Sequence, residues 1–321
     1  MRLKAVVFAF VSLLVVGTAA LAQDYPTRPV RFITNTAPGG TLDILVRTIA
    51  DQLSQQTGQQ FYVDNKTGAG GNIAVAELAR SPADGYTIGM ATIATHGVNP
   101  TLFAKLPYDA VKDFTPISLA AVVPNILVVT PSLPAKNIPE LVSYLRANPG
   151  KAFGSPGLGT GIHMAGELFK IAAGVDIVHL PYRGTALSLP DILSGRLELM
   201  FANPPDVVNL IREDKLRAVG ISTKRRDPNF PEIPTIAEQG YPDFEVLTWF
   251  GVTGPAGLPN PVVERLNKEI GTALAKPNVV EHLQKLGMNV VSSRPQEFAD
   301  YIQAEIKRWE PIVKASGVRI N

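Results

Sequence analysis

Apolar residues recur along this chain with two alternating periods. Val30–Thr34 is a short apolar run. Leu42, Leu45, Val46, Ile49, Ala50 and Leu53 then share one face of a helix that stops at Gly58. Phe61–Asn65 reads as a second strand. A glycine turn follows, with Asn72 placed to cap an alanine-rich helix, and then a third strand at Tyr86–Thr92. Strands alternating with helices imply parallel βαβ units covered on both faces. From Leu106 the chain becomes extended and proline-punctuated, with no helical period until Ile138. Alternation then resumes, with helices predicted over 139–146, 162–173, 187–193 and 207–212 and strands over 152–155, 177–180, 197–202 and 216–222. A second extended passage, 225–259, precedes three closing helical stretches.

Two α/β blocks joined by two irregular crossings are therefore expected, with the tail packed back on the first block. The predicted division is 23–123 with 248–321 as a discontinuous first domain and 124–247 as the second. Trp249, in the second crossing, is expected at the hinge rather than against a ligand ring.

Residues 1–22 stand apart. Arg2 and Lys4, an apolar run from Ala5 to Val16 and Ala20-Leu21-Ala22 have the order of a secretory signal, with cleavage expected after Ala22. The apolar run is shorter than the ~20 residues of a spanning helix. The sequence has no cysteine, so neither disulfides nor a lipidated cysteine enter the picture. Without Arg2 and Lys4 the chain carries 28 basic residues against 28 acidic, a balance with no electrostatic footprint for nucleic acid or an anionic membrane. The 27 glycines and 27 prolines are spread along the chain, which suggests tight connections rather than disorder.

Two of those connections carry the candidate chemistry. Ala37-Pro38-Gly39-Gly40-Thr41 lies at the carboxyl end of the first strand, where open parallel sheets bind ligands. Helix N-termini there offer unpaired N–H donors and partial positive charge, and Gly39 and Gly40 let a ligand approach the backbone. "FGSPGLGTGIHMAGELF" repeats the device in the second block. Neither turn has a lysine or arginine. A carboxylate held by N–H groups, helix ends and water needs no cation, so a small anionic group across a cleft is the expected ligand. Asp43 reads as an acid of the first helical turn, with a ligand contact as the alternative. His163 and Glu167, four apart and without a third ligand, read as a surface hydrogen-bonding pair rather than a metal site. Walker, G-x-S-x-G and H-E-x-x-H motifs are absent, and "GLGTG" misses dinucleotide-binding spacing. No cofactor is expected.

The motifs PGG-x-x-D, GAGG-N, PADGYT and LPYD-x-x-KDFTP fall in order with "GSPGLGTGIHMAGELFK" and "LPYRGTALSLPDILSGRLELMF". In this combination the chain resembles the Bug family, the periplasmic solute-binding proteins of tripartite tricarboxylate transporters, over essentially all of its length after the signal. The resemblance implies an α/β Venus flytrap of type II topology, with a ligand carboxylate held between the two glycine turns. Carried onto this chain, the implied binding residues are Gly39, Gly40, Thr41 and Asp43, then Thr92 and Thr95. Ser155, Gly159, Thr160 and His163 follow from the second domain. The family often has Asp-Asn where this chain has Ala202-Asn203, which places Asn203 in an altered distal pocket. Arg183 is read either as a partner for a distal carboxylate or as a solvent-facing salt bridge.

The expected protein is a monomeric, non-enzymatic receptor in the periplasm of a Gram-negative bacterium, without direct membrane insertion. It would take a di- or tricarboxylate, aromatic acid or amino acid to a two-subunit membrane transporter. A sensor docking to a membrane signalling partner and a periplasmic hydrolase are the competing readings.

Overall fold

The computed structural model describes residues 25–320; the expected signal segment and cleavage site lie outside them. β1 (Val30–Thr34) runs into the turn at 35–40 and then α1 (Thr41–Thr57). Gly58 ends α1 in a left-handed conformation, its N–H bonded to Ser54 O. β2 (Phe61–Asn65), α2 (Asn72–Ala79) and β3 (Thr87–Thr92) complete the parallel unit, with β1 between β2 and β3. β3 then enters a π-helical turn, Ile93–Val98, and the short α3 (Asn99–Leu102).

β4 (Phe114–Pro124) is a long strand of this same sheet, and after Asn125 alone the chain enters β5 (Ile126–Val129) of another. The second sheet grows through α4 (Ile138–Ala147), β6 (Lys151–Ser155), α5 (Gly161–Ala173), β7 (Ile177–Pro181) and α6 (Thr185–Leu193). β8 (Leu199–Ala202), α7 (Pro204–Arg212) and β9 (Arg217–Ile221) complete it. An irregular segment returns the chain to β10 (Leu247–Pro255), which pairs antiparallel with both β3 and β4. α8 (Asn260–Leu274), α9 (Pro277–Lys285), β11 (Asn289–Val290) and α10 (Pro295–Ser316) finish it, β11 on the β4 edge. The six-stranded order is β11-β4-β10-β3-β1-β2 and the five-stranded order β7-β6-β8-β5-β9. This is the two-domain α/β fold expected from the alternation.

Each sheet has its own core, around Phe32, Leu45 and Ile49 in one lobe and Ile126, Met200 and Ile221 in the other. A third apolar cluster runs between them. Ile93, Val98 and Leu102 of the first lobe join Phe153, Ile162 and Phe169 of the second, with Trp249, Phe298 and Trp309 alongside. Trp249 is thus a fully buried strand residue one position past Thr248, whose Oγ1 donates to Asn125 Oδ1 at 3.2 Å. Both crossings meet here: Asn125 N donates to Ser222 Oγ at 2.8 Å, and Asn125 Nδ2 to Val246 O at 3.1 Å.

Asn72 differs from expectation. Gly71 is the residue before α2, and Asn72 is its first helical residue, making no cap bond. Its Oδ1 instead accepts from Asn99 Nδ2 at 2.7 Å and Tyr108 OH at 2.8 Å. Two long-range donors hold it where a local cap was expected. Among the described residues no helix is long and apolar enough to cross a membrane.

Candidate functional site

Parallel strands bring their carboxyl ends to one edge. In the first lobe β2, β1 and β3 deliver the segments 66–71, 35–40 and 92–95; in the second, β7, β6 and β8 deliver 182–184, 156–160 and Asn203. The two rows meet. A methyl on Gly159 would stand 2.7 Å from Asn99 Oδ1, and one on Gly70 3.5 Å from Leu158 O. Glycine at these positions is what lets backbone from opposite lobes come together.

In the first row, Gly39 has φ +88° and donates its N–H to Asp43 Oδ2 at 2.9 Å. Asp43 also accepts from Arg47 Nε at 2.9 Å and Asn65 Nδ2 at 2.8 Å. Burial alone would raise this carboxyl, but the bonds from Arg47, Asn65 and Gly39 hold it below the ordinary aspartate range. Asp43 is therefore an acid of the first turn, as read from sequence, with both oxygens engaged inside the lobe. The N–H groups of Gly40, Thr41 and Leu42 find no acceptor among the described residues, and Thr41 Oγ1 is buried without a partner.

The second row repeats this arrangement. Gly159, at φ +75°, donates its N–H to His163 Nδ1 at 3.1 Å, while Thr160 Oγ1 accepts from His163 N at 3.2 Å. The N–H groups of Thr160, Gly161 and Ile162 have no acceptor among the described residues. Ser155 is fully buried, its Oγ 2.6 Å from His179 Nε2 and accepting from Gly157 N at 3.1 Å. Burial, reinforced by the neighbouring His163, pushes His179 down to about 3, so its imidazole is neutral.

The pair His163 and Glu167 is not on the surface. Both are buried, Nε2 and Oε1 lie 3.6 Å apart, and the His163 ring stacks on His179 with centroids 3.9 Å apart. Residues 161–167 of α5 are covered by its own sheet and by the interlobe cluster, and only its last turn, with Ile171 and Ala172, is exposed. Among the described residues no group of three or more ligating side chains fits a metal.

Thr92 and Thr95 sit where expected but are bonded to each other. Thr92 N donates to Thr95 Oγ1 at 3.1 Å and Thr95 N to Thr92 Oγ1 at 3.3 Å, while Thr95 Oγ1 lies 2.9 Å from His96 Nδ1. Arg183 is exposed and has no carboxylate partner among the described residues. Its turn packs on the glycine turn, Tyr182 N donating to Ser155 O and Gly184 N to Pro156 O. Asn203 is buried, precedes α7, and has an unpartnered Oδ1. Three residues on, Asp206 was missed in the sequence. Burial pushes it up to about 6, with the neighbouring Thr185 acting in the opposite direction. The available signal was an Asn followed three residues later by an acid, a helix-start spacing. Gly70 was also missed, although its turn was visible. A surface depression of about 730 Å³ beside α2, lined by Arg31, Ile73, Arg80 and Lys105, contains none of these candidate residues.

Residues 45–318 match the family described as the tripartite tricarboxylate transporter family receptor. The chain belongs to this receptor family. BugT of Bordetella pertussis is 35% identical over 100% of this chain and 99% of its own length. Among solved receptors, R. palustris Rpa4515 with adipate is 38% identical, with TM-score 0.89 and coverage of 93% of this chain and 100% of that one. MatC from Rhodopseudomonas palustris with bound malate is 32% identical, with TM-score 0.84 and coverage of 90% and 100%. The receptor fold and the Bug resemblance thus agree with the sequence reading.

Proposed function

We propose that this chain is a non-enzymatic periplasmic receptor, exported with cleavage after Ala22, that closes two lobes on a small organic carboxylate and delivers it to a two-subunit membrane transporter. The lobes are residues 23–123 with 248–321, and residues 124–247, turning about Asn125 and the Ser222–Val246 contact. One observation carries the reading: the carboxyl ends of parallel strands from both sheets meet, Gly70 against Leu158 and Gly159 against Asn99, and each row has a strand-to-helix turn with at least three consecutive N–H groups lacking an acceptor among the described residues. Such groups at helix N-termini favour a carboxylate. The adipate and malate of the R. palustris structures support a dicarboxylate. Arg183, exposed beside the second turn, is the proposed partner of its far carboxylate.

A thermal-shift screen of mono-, di- and tricarboxylates, aromatic acids and amino acids tests this reading. A ligand at a hundred times its Kd stabilises by about 2.7 kcal/mol, so a C4–C6 dicarboxylate is expected to raise Tm by several degrees. A flat response across all acids overturns it.

A further inference from the structure

Both turns share a device that the sequence pattern alone does not display. In an ordinary capping box, the third helical residue accepts from the N–H of the capping residue itself. At α10 this occurs, Glu297 Oε2 accepting from Arg294 N at 2.9 Å. At α1 and α5 the bond is displaced by one residue. The cap residues are Gly40 and Thr160, and the third helical residues are Asp43 and His163. Yet the N–H they accept belongs to Gly39 and Gly159, one position earlier. The displacement uses up the glycine donor and leaves the cap residue and at least the next two N–H groups without a partner among the described residues, the third being capped by Thr160 Oγ1 at α5 and open at α1. Lys136 N and Glu140 show the same displaced bond at α4, so the bond by itself is a way to start a helix. At α5 it is buried and at α1 part-buried with the Asp43 side chain covered, and at both it opens on a left-handed glycine at the carboxyl end of a parallel strand.

We propose that Asp43 and His163 are matched positioning residues rather than ligand contacts: each locks a left-handed glycine so that the N–H groups of 40–42 and of 160–162 remain for the carboxylate. This rests on the proposed function and refines its site. Three further observations agree. Asp43 already satisfies Gly39, Arg47 and Asn65, so its charge is compensated within the lobe rather than by a ligand. His163 must be unprotonated at Nδ1 to accept from Gly159, which makes it an acceptor equivalent to a carboxylate or amide oxygen at the same reach. The two lobes thus reach one geometry with Asp in one and His in the other.

Amide hydrogen exchange by NMR on the mature protein, with and without adipate and malate, tests the assignment. Without additive, Gly39 and Gly159 are expected to be protected while Gly40, Thr41 and Gly161 exchange at least tenfold faster. Rapid exchange at both glycines, or protection at Gly40 and Gly161, overturns the proposal whether or not either acid binds. Asp43→Asn and His163→Asn keep an acceptor at the right reach and should retain glycine protection. Asp43→Ala and His163→Ala should lose it, and for an acid that binds the wild type, affinity should fall about tenfold. His163→Asn behaving like His163→Ala, with unchanged circular dichroism, also overturns it. If the wild type binds no acid in the wider screen, the proposed function fails while the exchange pattern still decides the positioning roles.

Discussion

Arg183 and His96 mark the two extremes of charge in this molecule. Arg183 is exposed at the edge of the second row, and its guanidinium suits bidentate bonds to a carboxylate. Charged hydrogen bonds contribute about 1.5–3 kcal/mol, so Arg183→Ala should weaken a dicarboxylate roughly tenfold to a hundredfold by calorimetry. A monocarboxylate of the same length should be unaffected, and equal losses for both would remove Arg183 from the site. His96 is fully buried between Tyr108 and Phe114, and burial pushes it down to about 3. Its folded value lies below the unfolded ~6.5, so the unfolded chain binds the extra proton between those values. The corresponding stability is fully present above pH 6.5 and is lost as pH falls towards 3, by up to about 1.4 kcal/mol per pH unit. His179, also pushed down to about 3, adds to the slope in the same direction, so urea titrations between pH 7.5 and 5.5 should show the sum and His96→Gln should reduce it without abolishing it.

α10 is the element that ties the lobes to their hinge. Trp309 and Val313 lie in the interlobe cluster, and Glu305 Oε2 accepts from Trp249 Nε1 at 2.8 Å and Trp309 Nε1 at 3.0 Å. Its other oxygen accepts from Arg308 Nη1 at 3.2 Å. Glu305→Ala would leave two buried indole N–H groups without an acceptor, at about 1–3 kcal/mol each, so a Tm drop of several degrees is expected. Glu305→Gln keeps one acceptor oxygen and should lose much less. Similar melting of both variants would show that packing, not this carboxylate, holds α10. The element was legible as a helix from its apolar spacing. Its role was not, because the bond from Trp249 to Glu305 spans 56 residues and leaves no local pattern.

At the scale of the whole molecule, the interlobe cluster and the meeting of Gly159 with Asn99 describe lobes in contact. A receptor that closes on its ligand shifts population towards such a state by the ligand's differential affinity. Small-angle scattering should therefore show compaction when a bound dicarboxylate saturates the protein. Gly161 offers a wedge: a β-carbon there would stand 2.6 Å from Thr248 Oγ1 at the hinge. Gly161→Val should keep the lobes apart, reduce compaction and weaken binding at least tenfold. Full compaction in that variant would place the hinge elsewhere.

The order of elements follows from the sequence itself, because periods of 2 and 3.6 are local consequences of backbone geometry. Val30–Thr34, the Gly58 stop and β6, β7, β8 and β9 lie within a residue or two of their predicted positions, whereas β5 fell inside a passage read only as extended. The two glycine turns were visible for the same reason, since strand, glycine and helix start are contiguous. Tertiary structure alone decided which donors in those turns are engaged. Asp43 closes on Gly39 with help from Asn65 across a strand, and His163 is buried because α5 packs between its sheet and the other lobe. It also joined Asn72 to Asn99 and Tyr108, and brought Gly159 to Asn99. Such pairings depend on where remote strands end after folding, and side-chain burial depends on neighbours that sequence spacing does not encode.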